Sequence, residues 1–562
     1  MRTLDWIVLI SFLIFVVAHG IWKGRGSKTT RSYMLADRTM PWYAVALSIM
    51  ATQASAITFV SIPGQAYTDG MRFVQYYFGL PVAMVILCIV AVPVFHRLNV
   101  YTAYEYLENR FDLKTRTLTG FIFLLQRGLS ASLSLYAPAI ILSVILGWDM
   151  KITLRVIGSI VIVYTAIGGV KGVNWNDFYQ FMIIISGMIA ALFMIFYLMP
   201  SGISFLDAVS VAGASGKLNV VDFSFDWNNR YNFWSGLIGG MFLALSYFGT
   251  DQSQVQRYLT GSSITQSRLG LLFNGLAKVP MQFFILFVGA MVFVFYQFVT
   301  PPVFFNPVEE GKIRASSYGD QYRQIEGEYR KVSALKQEQI QTFVAARRAK
   351  DQMAEQTARS RLQEAQKHSA EVRQEAIGLL KKNDPDVNPN DTNYVFLSFV
   401  VRYLPAGLVG LLIVVVFGAT MSSTSSELNA LATASVIDIY KRLIRTGATD
   451  RHYLAVSKIA TILWGLFAIT LSERASRLGS LVEAVNILGS LFYGTVLGVF
   501  MLAFFFKHVR GTAAFVGALA GEAVVLYLFR FTQISFLWYN VFGCLAVITT
   551  ALGLSLLLHR KN

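Results

Sequence analysis

Cysteine is nearly missing from this chain. Its 562 residues include only Cys88 and Cys544. Both fall inside apolar runs, where a thiol acts as a small buried hydrophobe. That pattern excludes a disulfide-stapled fold and a cysteine-ligated metal. Charge is also scarce. Asp, Glu, Lys and Arg make up 14% of the residues, against about a quarter in soluble proteins. Such a chain cannot clothe a water-facing globule of this length. The 6 histidines do not cluster. No nucleophile–base set, metal-ligand spacing or phosphate loop appears, which argues against an enzyme.

What is abundant is apolar sequence. Hydrophobic residues make up 55% of the chain and gather in runs of about 18 to 30, enough to cross about 30 Å of hydrocarbon. Candidate spans are 5–22, 41–66, 74–96, 117–146, 152–169, 178–199, 232–256, 268–299, 396–439, 452–471, 478–506, 512–530 and 534–558. Backbone polar groups in lipid must be satisfied internally, so these about thirteen spans are helices. The expected class is an all-α integral membrane protein. The first span lacks a small-residue cleavage site and carries its basic residues after the apolar run, so it reads as a helix and not as a cleavable signal.

The formal charge of +16 could suggest nucleic acid, but its placement does not. Basic residues concentrate in the segments 23–38, 96–116, 440–452, 507–510 and 559–562. All of these lie on one side if every span crosses. The positive-inside rule makes that side cytoplasmic. An odd number of spans then places the N-terminus outside and the C-terminus inside, in a cell membrane (inner or plasma).

Residues 300–395 interrupt the membrane pattern. They are rich in Ala, Glu, Gln, Lys and Arg, which are strong helix formers. Apolar residues look too sparse for a sustained heptad seam. A solvated helix or helical hairpin on the extracytoplasmic face is expected, polar all round and dispensable for transport over 310–382. A partner-docking role stays open beside that plain reading. The stretch NDPDVNPND at 383–391 alternates carboxamide and carboxylate oxygens. It lacks the glycine and the twelfth-position glutamate of a calcium loop.

Two helices carry polar interruptions. Span two holds Ala51, Thr52, Gln53, Ala54, Ser55 and Thr58 at its centre, and span seven ends in Gly249, Thr250, Asp251 and Gln252. Broken helices five spans apart are the mark of an inverted-repeat transporter, in which unwound carbonyls bind cations near the midplane. Small residues alone could serve close helix packing. Gln53, Asp251 and Gln252 are too costly in lipid for that. A third feature is FGATMSSTSSELNA at 417–430. At helical spacing Ala419, Ser422, Ser423 and Ser426 share a face, and Ser422, Ser425, Ser426 and Asn429 share an overlapping one. Hydroxyls and free carbonyls suit a hard ion such as sodium. Serine stripes also join helices in bilayers. Asp177, where a loop enters span six, could favour its helix dipole, pair with Lys171, or neutralise a second cation near Ser425 and Ser426. Lys278 stands ten residues into an apolar run and is too deep to snorkel, which points to a solute pocket.

HRLNVYTAYEYLENRF (96–111), YTAIGGVKGVNWNDFYQ (164–180), GTDQSQVQRYL (249–259) and FGATMSSTSSELNALATASVIDIY (417–440) together resemble the signatures of the sodium:solute symporters. The resemblance covers nearly all of the chain outside 300–395 and is nearest in pattern to the iodide, monocarboxylate and vitamin carriers. It implies a LeuT-type fold with a five-plus-five inverted-repeat core. On that basis 1–299 is the first transmembrane part, 300–395 the insertion and 396–562 the second transmembrane part. The resemblance implies a first sodium site from the carbonyls of Ala51, Ala54 and Ala419 with the hydroxyls of Ser422 and Ser423. A second, present in some members, would use Asp177, Ser425 and Ser426. It also implies a solute pocket with Tyr247, Lys278 and Asn486, which match sugar-carrier positions. Gln53 and Thr58 depart from the residues sugar carriers have there, and Gln75 joins the candidates. The expected function is sodium-coupled import of a small polar solute, sugar-like, with two sodium ions. An organic anion of monocarboxylate or vitamin type is the alternative, and a sensor or sodium channel the rival from other classes. Sodium is transported, not held as a prosthetic group. The expected partners are solute, sodium and the bilayer, with no nucleic acid.

Overall fold

The structure, a computed structural model, describes residues 2–24, 28–474 and 480–559. The basic tail beyond 559, the start of the run at 478 and part of the 23–38 segment lie outside the described residues. No strand forms among the described residues, and pairing outside helices is confined to an isolated bridge between Met40 and Gly261. Among the described residues, ten helical segments are long and apolar enough to cross a bilayer. Two of them, Ile57–Leu98 with 42 residues and Met150–Tyr197 with 48, can each supply two passes at about 1.5 Å per residue. With the broken pair Gly240–Gly249 and Gln252–Leu259, they account for the expected spans. The outer faces are apolar. Ile89, Phe193, Leu276 and Leu463 stand exposed on helix surfaces, as they must where the solvent is hydrocarbon. The polar residues point inward, and the serine stripe is fully buried.

Both helix breaks exist. The helix Trp42–Gln53 stops, Ala54 leaves helical geometry at ψ 67, and the helix Ala56–Asp69 begins again. The helix Gly240–Gly249 ends before Asp251, which caps the helix Gln252–Leu259 by accepting from Ser253 N at 2.9 Å.

Three expectations are corrected. The loop expected ahead of span six is a helix. Met150–Tyr197 runs through it with a kink at Gly169, whose φ is 57°. A side chain there would be strained and would meet the Tyr33 ring at 2.8 Å, so glycine sets the bend. Asp177 is therefore well inside a helix and not at its first turn. The run 396–439 is two helices, Thr392–Tyr403 and Leu408–Ala434, parted at Pro405 and at Gly407 with φ 88°.

The third correction concerns the insertion. It is a hairpin of the helices Gly319–Arg348 and Gln352–Asn383, but it is not polar all round. Tyr322, Glu326, Tyr329, Ser333, Lys336, Ile340 and Phe343 are buried. Their spacings alternate between four and three, which is a heptad seam. Leu362, Ser369, Val372, Ala376 and Leu379 face it from the second helix. Polar residues occupy several seam positions, so an apolar count misses the repeat. The hairpin also docks on the membrane part. Arg348 pairs with Asp207, and Gln366 donates to Ser215 Oγ at 2.8 Å.

At the opposite end the basic segments gather. Arg116 reaches Glu108 and Asp438 at 2.6 Å each. Arg442 also pairs with Glu108. Arg110 donates to the Phe506 carbonyl at 2.8 Å, and Thr30 N donates to Asp450. The loops 96–116, 440–452 and 507–510, placed on one side from sequence alone, are in contact.

Candidate functional site

A helix end leaves its last carbonyls without intrahelical donors. At the Gln53 terminus the Met50 carbonyl accepts from Ala54 N at 2.8 Å, and Ala51, Thr52 and Gln53 follow it. The helix Leu408–Ala434 packs along this break and presents Ala419, Ser422 and Ser423, all buried. Thr52 Oγ1 and Ser426 Oγ lie 3.0 Å apart, tying the break to the stripe. The Ser423 hydroxyl has no hydrogen-bond partner among the described residues. The residues that the resemblance implies for a first sodium site thus lie on two elements that pack together at the break.

Asp177 sits beside it and is fully buried. Its Oδ1 accepts from Ser422 Oγ and its Oδ2 from Ser48 Oγ, each at 2.5 Å. The structure does not place Ser425 or Ser426 on this carboxylate. Ser425 donates to the Ser422 carbonyl at 3.1 Å, and Ser426 turns to Thr52. Ser422 thus belongs to both candidate ion sites. Lys171 is not a partner of Asp177. The nearby cation is Arg257, whose charge acts on Asp177 and whose Nη1 donates to Asn174 Oδ1 at 2.5 Å.

A cavity of about 100 Å³ lies between the break and the helix Leu481–Phe505. It is lined by Gln53, Thr58, Tyr247, Ser423, Asn486 and Arg127, with Tyr76, Tyr77, Glu427 and Tyr493 completing the polar wall. Loaded small-molecule sites usually measure about 300 to 1,000 Å³, so the walls must part for a sugar-sized solute. Hydrogen bonds around the cavity hold them. Tyr76 donates to Asn486 Oδ1 at 2.9 Å, and Gln254 donates to the Tyr247 hydroxyl at 2.7 Å. Four of the six solute candidates therefore meet here: Gln53, Thr58, Tyr247 and Asn486. Lys278 lies behind Tyr77, its Nζ 5.7 Å from that ring's centre and without a hydrogen-bond partner among the described residues. Gln75 is not in the lining. It ties loops together, donating to the Tyr231 carbonyl at 2.8 Å and accepting from Asp222 N at 2.9 Å.

Arg127 is the residue that sequence reasoning missed. It is buried, bonds Glu427 at 2.9 Å and the Tyr493 hydroxyl at 2.7 Å, and pairs with Asp251. Its Nε has no partner among the described residues. The signal was present. Arg127 stands alone inside the apolar run 117–146, and an intramembrane ionisable residue is functional by default. The same rule would have selected Glu427 and Arg257.

Comparison with known proteins gives the family of the chain. The sodium:solute symporter family model matches residues 33–316 and 386–521, and the chain belongs to that family. It is a sodium-coupled solute symporter, not an enzyme, and sodium is its transported co-substrate. The sodium/sialic acid symporter NanT of Aliivibrio fischeri is 26% identical over 556 residues, which cover 97% of this chain and 92% of that one. The human sodium-coupled monocarboxylate transporter 1 is 27% identical over 527 residues, 93% of this chain and 73% of the relative. Among solved structures, a substrate-bound, outward-open Na⁺-coupled sialic acid symporter superposes with a TM-score of 0.76 at 24% identity, covering 99% of this chain and 98% of that one. The fold is thereby the LeuT type. The hairpin falls between the two matched segments.

Proposed function

We propose that this symporter imports a small acidic, sugar-like solute together with two sodium ions. It would lie in a cell membrane with its N-terminus outside and its C-terminus in the cytoplasm. The observation that carries the reading is Arg127, a guanidinium with one free N–H in a wall of hydroxyl and amide groups. Hydroxyls and amides suit sugar hydroxyls, and a guanidinium suits a carboxylate. Relatives named for sialic acid and for monocarboxylates both carry acids, which supports the same class. The orientation rests on the clustered basic loops.

Charge balance supports two ions. Around the pocket and ion sites the fixed cations Arg127 and Arg257 face the carboxylates Asp177, Asp251 and Glu427. With Lys278 set apart behind the Tyr77 ring, the groups that face the sites carry one net negative charge. A buried net charge is costly in a bilayer. Two sodium ions with one monoanion cancel it. A single sodium ion with a neutral solute also cancels it, and the hydroxyl- and amide-rich wall keeps that second reading alive. Both cycles move one positive charge, so stoichiometry and not current separates them.

Asp177→Asn removes one fixed negative charge, after which one sodium ion with the anion restores balance. Reversal potentials of coupled flux should therefore give two sodium ions per solute in the wild type and one in Asp177→Asn. A wild-type ratio of one, or a ratio of two retained in the variant, contradicts the assignment. Substrate class is tested by thermal shift of the purified protein. Sialic acid or a short monocarboxylate should stabilise it in sodium and not in choline, by about 2.7 kcal/mol at a hundred times Kd. Stabilisation by a neutral hexose alone would overturn the acidic reading.

A further inference from the structure

A second and larger cavity, of about 820 Å³, opens between the hairpin and the outer end of the broken second span. The helix Ala56–Asp69 joins the two cavities. Thr58 lines the inner one and Thr68 the outer, about 15 Å apart at 1.5 Å per residue. Several charges in the outer cavity are matched. Arg230 pairs with Glu483 at 2.6 Å, Arg373 pairs with Asp391, and Asp69, which accepts from Gln65, is the opposite charge near Lys217. Lys381 also lines the cavity, at the exposed end of the hairpin.

Lys336 is different. It occupies a seam position of the hairpin, is 5% exposed and lines the cavity. No hydrogen bond or ion pair to it forms among the described residues. Lys217 comes to the same cavity from the loop after the helix Phe205–Ala214. It donates to the Thr68 carbonyl and lies 4.6 Å from the Phe293 ring centre. Burial, with the charge of Lys217 acting in the same direction, lowers Lys336 to about 8. Burial also lowers Lys217 to about 8, with Asp69 opposing. Two ammonium groups thus share a roomy, polar, half-enclosed space, Lys217 with Asp69 as opposite charge and Lys336 with none. A buried charge without a counter-ion is costly, and an anion held by Lys336 with Lys217 beside it would offset that cost.

We propose that Lys336 and Lys217 form a capture site for the carboxylate of the incoming solute, above the membrane pocket and built in part by the hairpin. The proposal rests on the acidic-solute reading given above. A cleft lined by positive charge raises the local concentration of an anion and its association rate by about tenfold or more. The hairpin, expected to be dispensable, thereby sets how dilute a solute the transporter can use.

The test uses the full-length protein in nanodiscs and in proteoliposomes, with sialic acid as probe. In sodium-free choline medium, equilibrium dialysis should show sialic acid bound by the wild type, bound at least tenfold more weakly by Lys336→Gln, and within about threefold of wild type by Lys336→Arg. Sodium-driven uptake by Lys336→Gln should show KM raised about tenfold with maximal rate unchanged. That variant should melt no lower than the wild type, because it removes an unpaired buried ammonium. Unchanged KM and unchanged sodium-free binding in Lys336→Gln would overturn the proposal. Competition by chloride as strong as that by sialic acid would also overturn it, reducing the site to a general anion trap. Sialic acid held at Lys336 but never transported would leave the site standing and sink the acidic-solute reading instead.

Discussion

Replacing Ser422 and Ser423 together by alanine is expected to abolish sodium-dependent uptake. The two hydroxyls are the side-chain part of the proposed oxygen set, which the carbonyls of Ala51, Ala54 and Ala419 would complete. Ser423 Oγ has no partner among the described residues, which suits an oxygen kept for an ion. Ser422 has a second duty, donating to Asp177 at 2.5 Å. The double variant therefore removes two ligands and one of the two hydroxyls that hold Asp177. Losing an orienting group near a metal costs about 10- to 100-fold in affinity, and losing ligands outright should cost at least that. Sodium titration of uptake reads the effect. Ser425→Ala is the control. Its hydroxyl is spent on the Ser422 carbonyl, so a shift of less than about threefold is expected. Wild-type sodium affinity in the double variant would remove these serines from the ion path.

Arg127→Gln is expected to be as severe, for a different reason. The guanidinium joins the helix Leu113–Leu146 to Glu427 on the serine helix and to Asp251 at the second break. Taking it away leaves two buried carboxylates unpaired, a loss of about 3 to 5 kcal/mol. Stability and recognition must be separated, and Arg127→Lys does that. Lysine keeps the charge and loses the planar fork of donors. Arg127→Lys should fold, hold the two carboxylates more loosely, and lose about 10- to 100-fold in kcat/KM for an acidic solute. Full activity of Arg127→Lys on sialic acid would show that the guanidinium does not recognise the carboxylate.

The membrane architecture was legible because the bilayer imposes strict rules. Apolar runs, polar interruptions at Ala51–Ser55 and Gly249–Gln252, and alternating basic loops each follow from the cost of unsatisfied groups in hydrocarbon. The serine helix was legible through its period. What escaped had three causes. Gly168 and Gly169 read as a loop, yet a single left-handed glycine bends a continuous helix. The hairpin seam escaped because Glu326, Ser333 and Lys336 fill positions where a heptad is looked for in leucine and isoleucine. Arg127, Arg257 and Glu427 stand out as ionisable residues in membrane helices, but what each pairs with does not, because their partners come from distant parts of the chain. Asp251 lies 124 residues from Arg127 and Glu427 lies 300 away, and no local pattern pairs them. Lys278 shows the converse. Its depth in the span was read correctly, but depth does not say which side of the Tyr77 ring the ammonium occupies.

The most direct test is accumulation of labelled sialic acid in proteoliposomes holding only this protein, under an inward sodium gradient with the membrane potential clamped negative inside. The account predicts uptake above the outside concentration, abolished when choline replaces sodium and competed by short monocarboxylates but not by neutral hexoses. Equal uptake in choline, or accumulation of a neutral hexose with none of sialic acid, would contradict it.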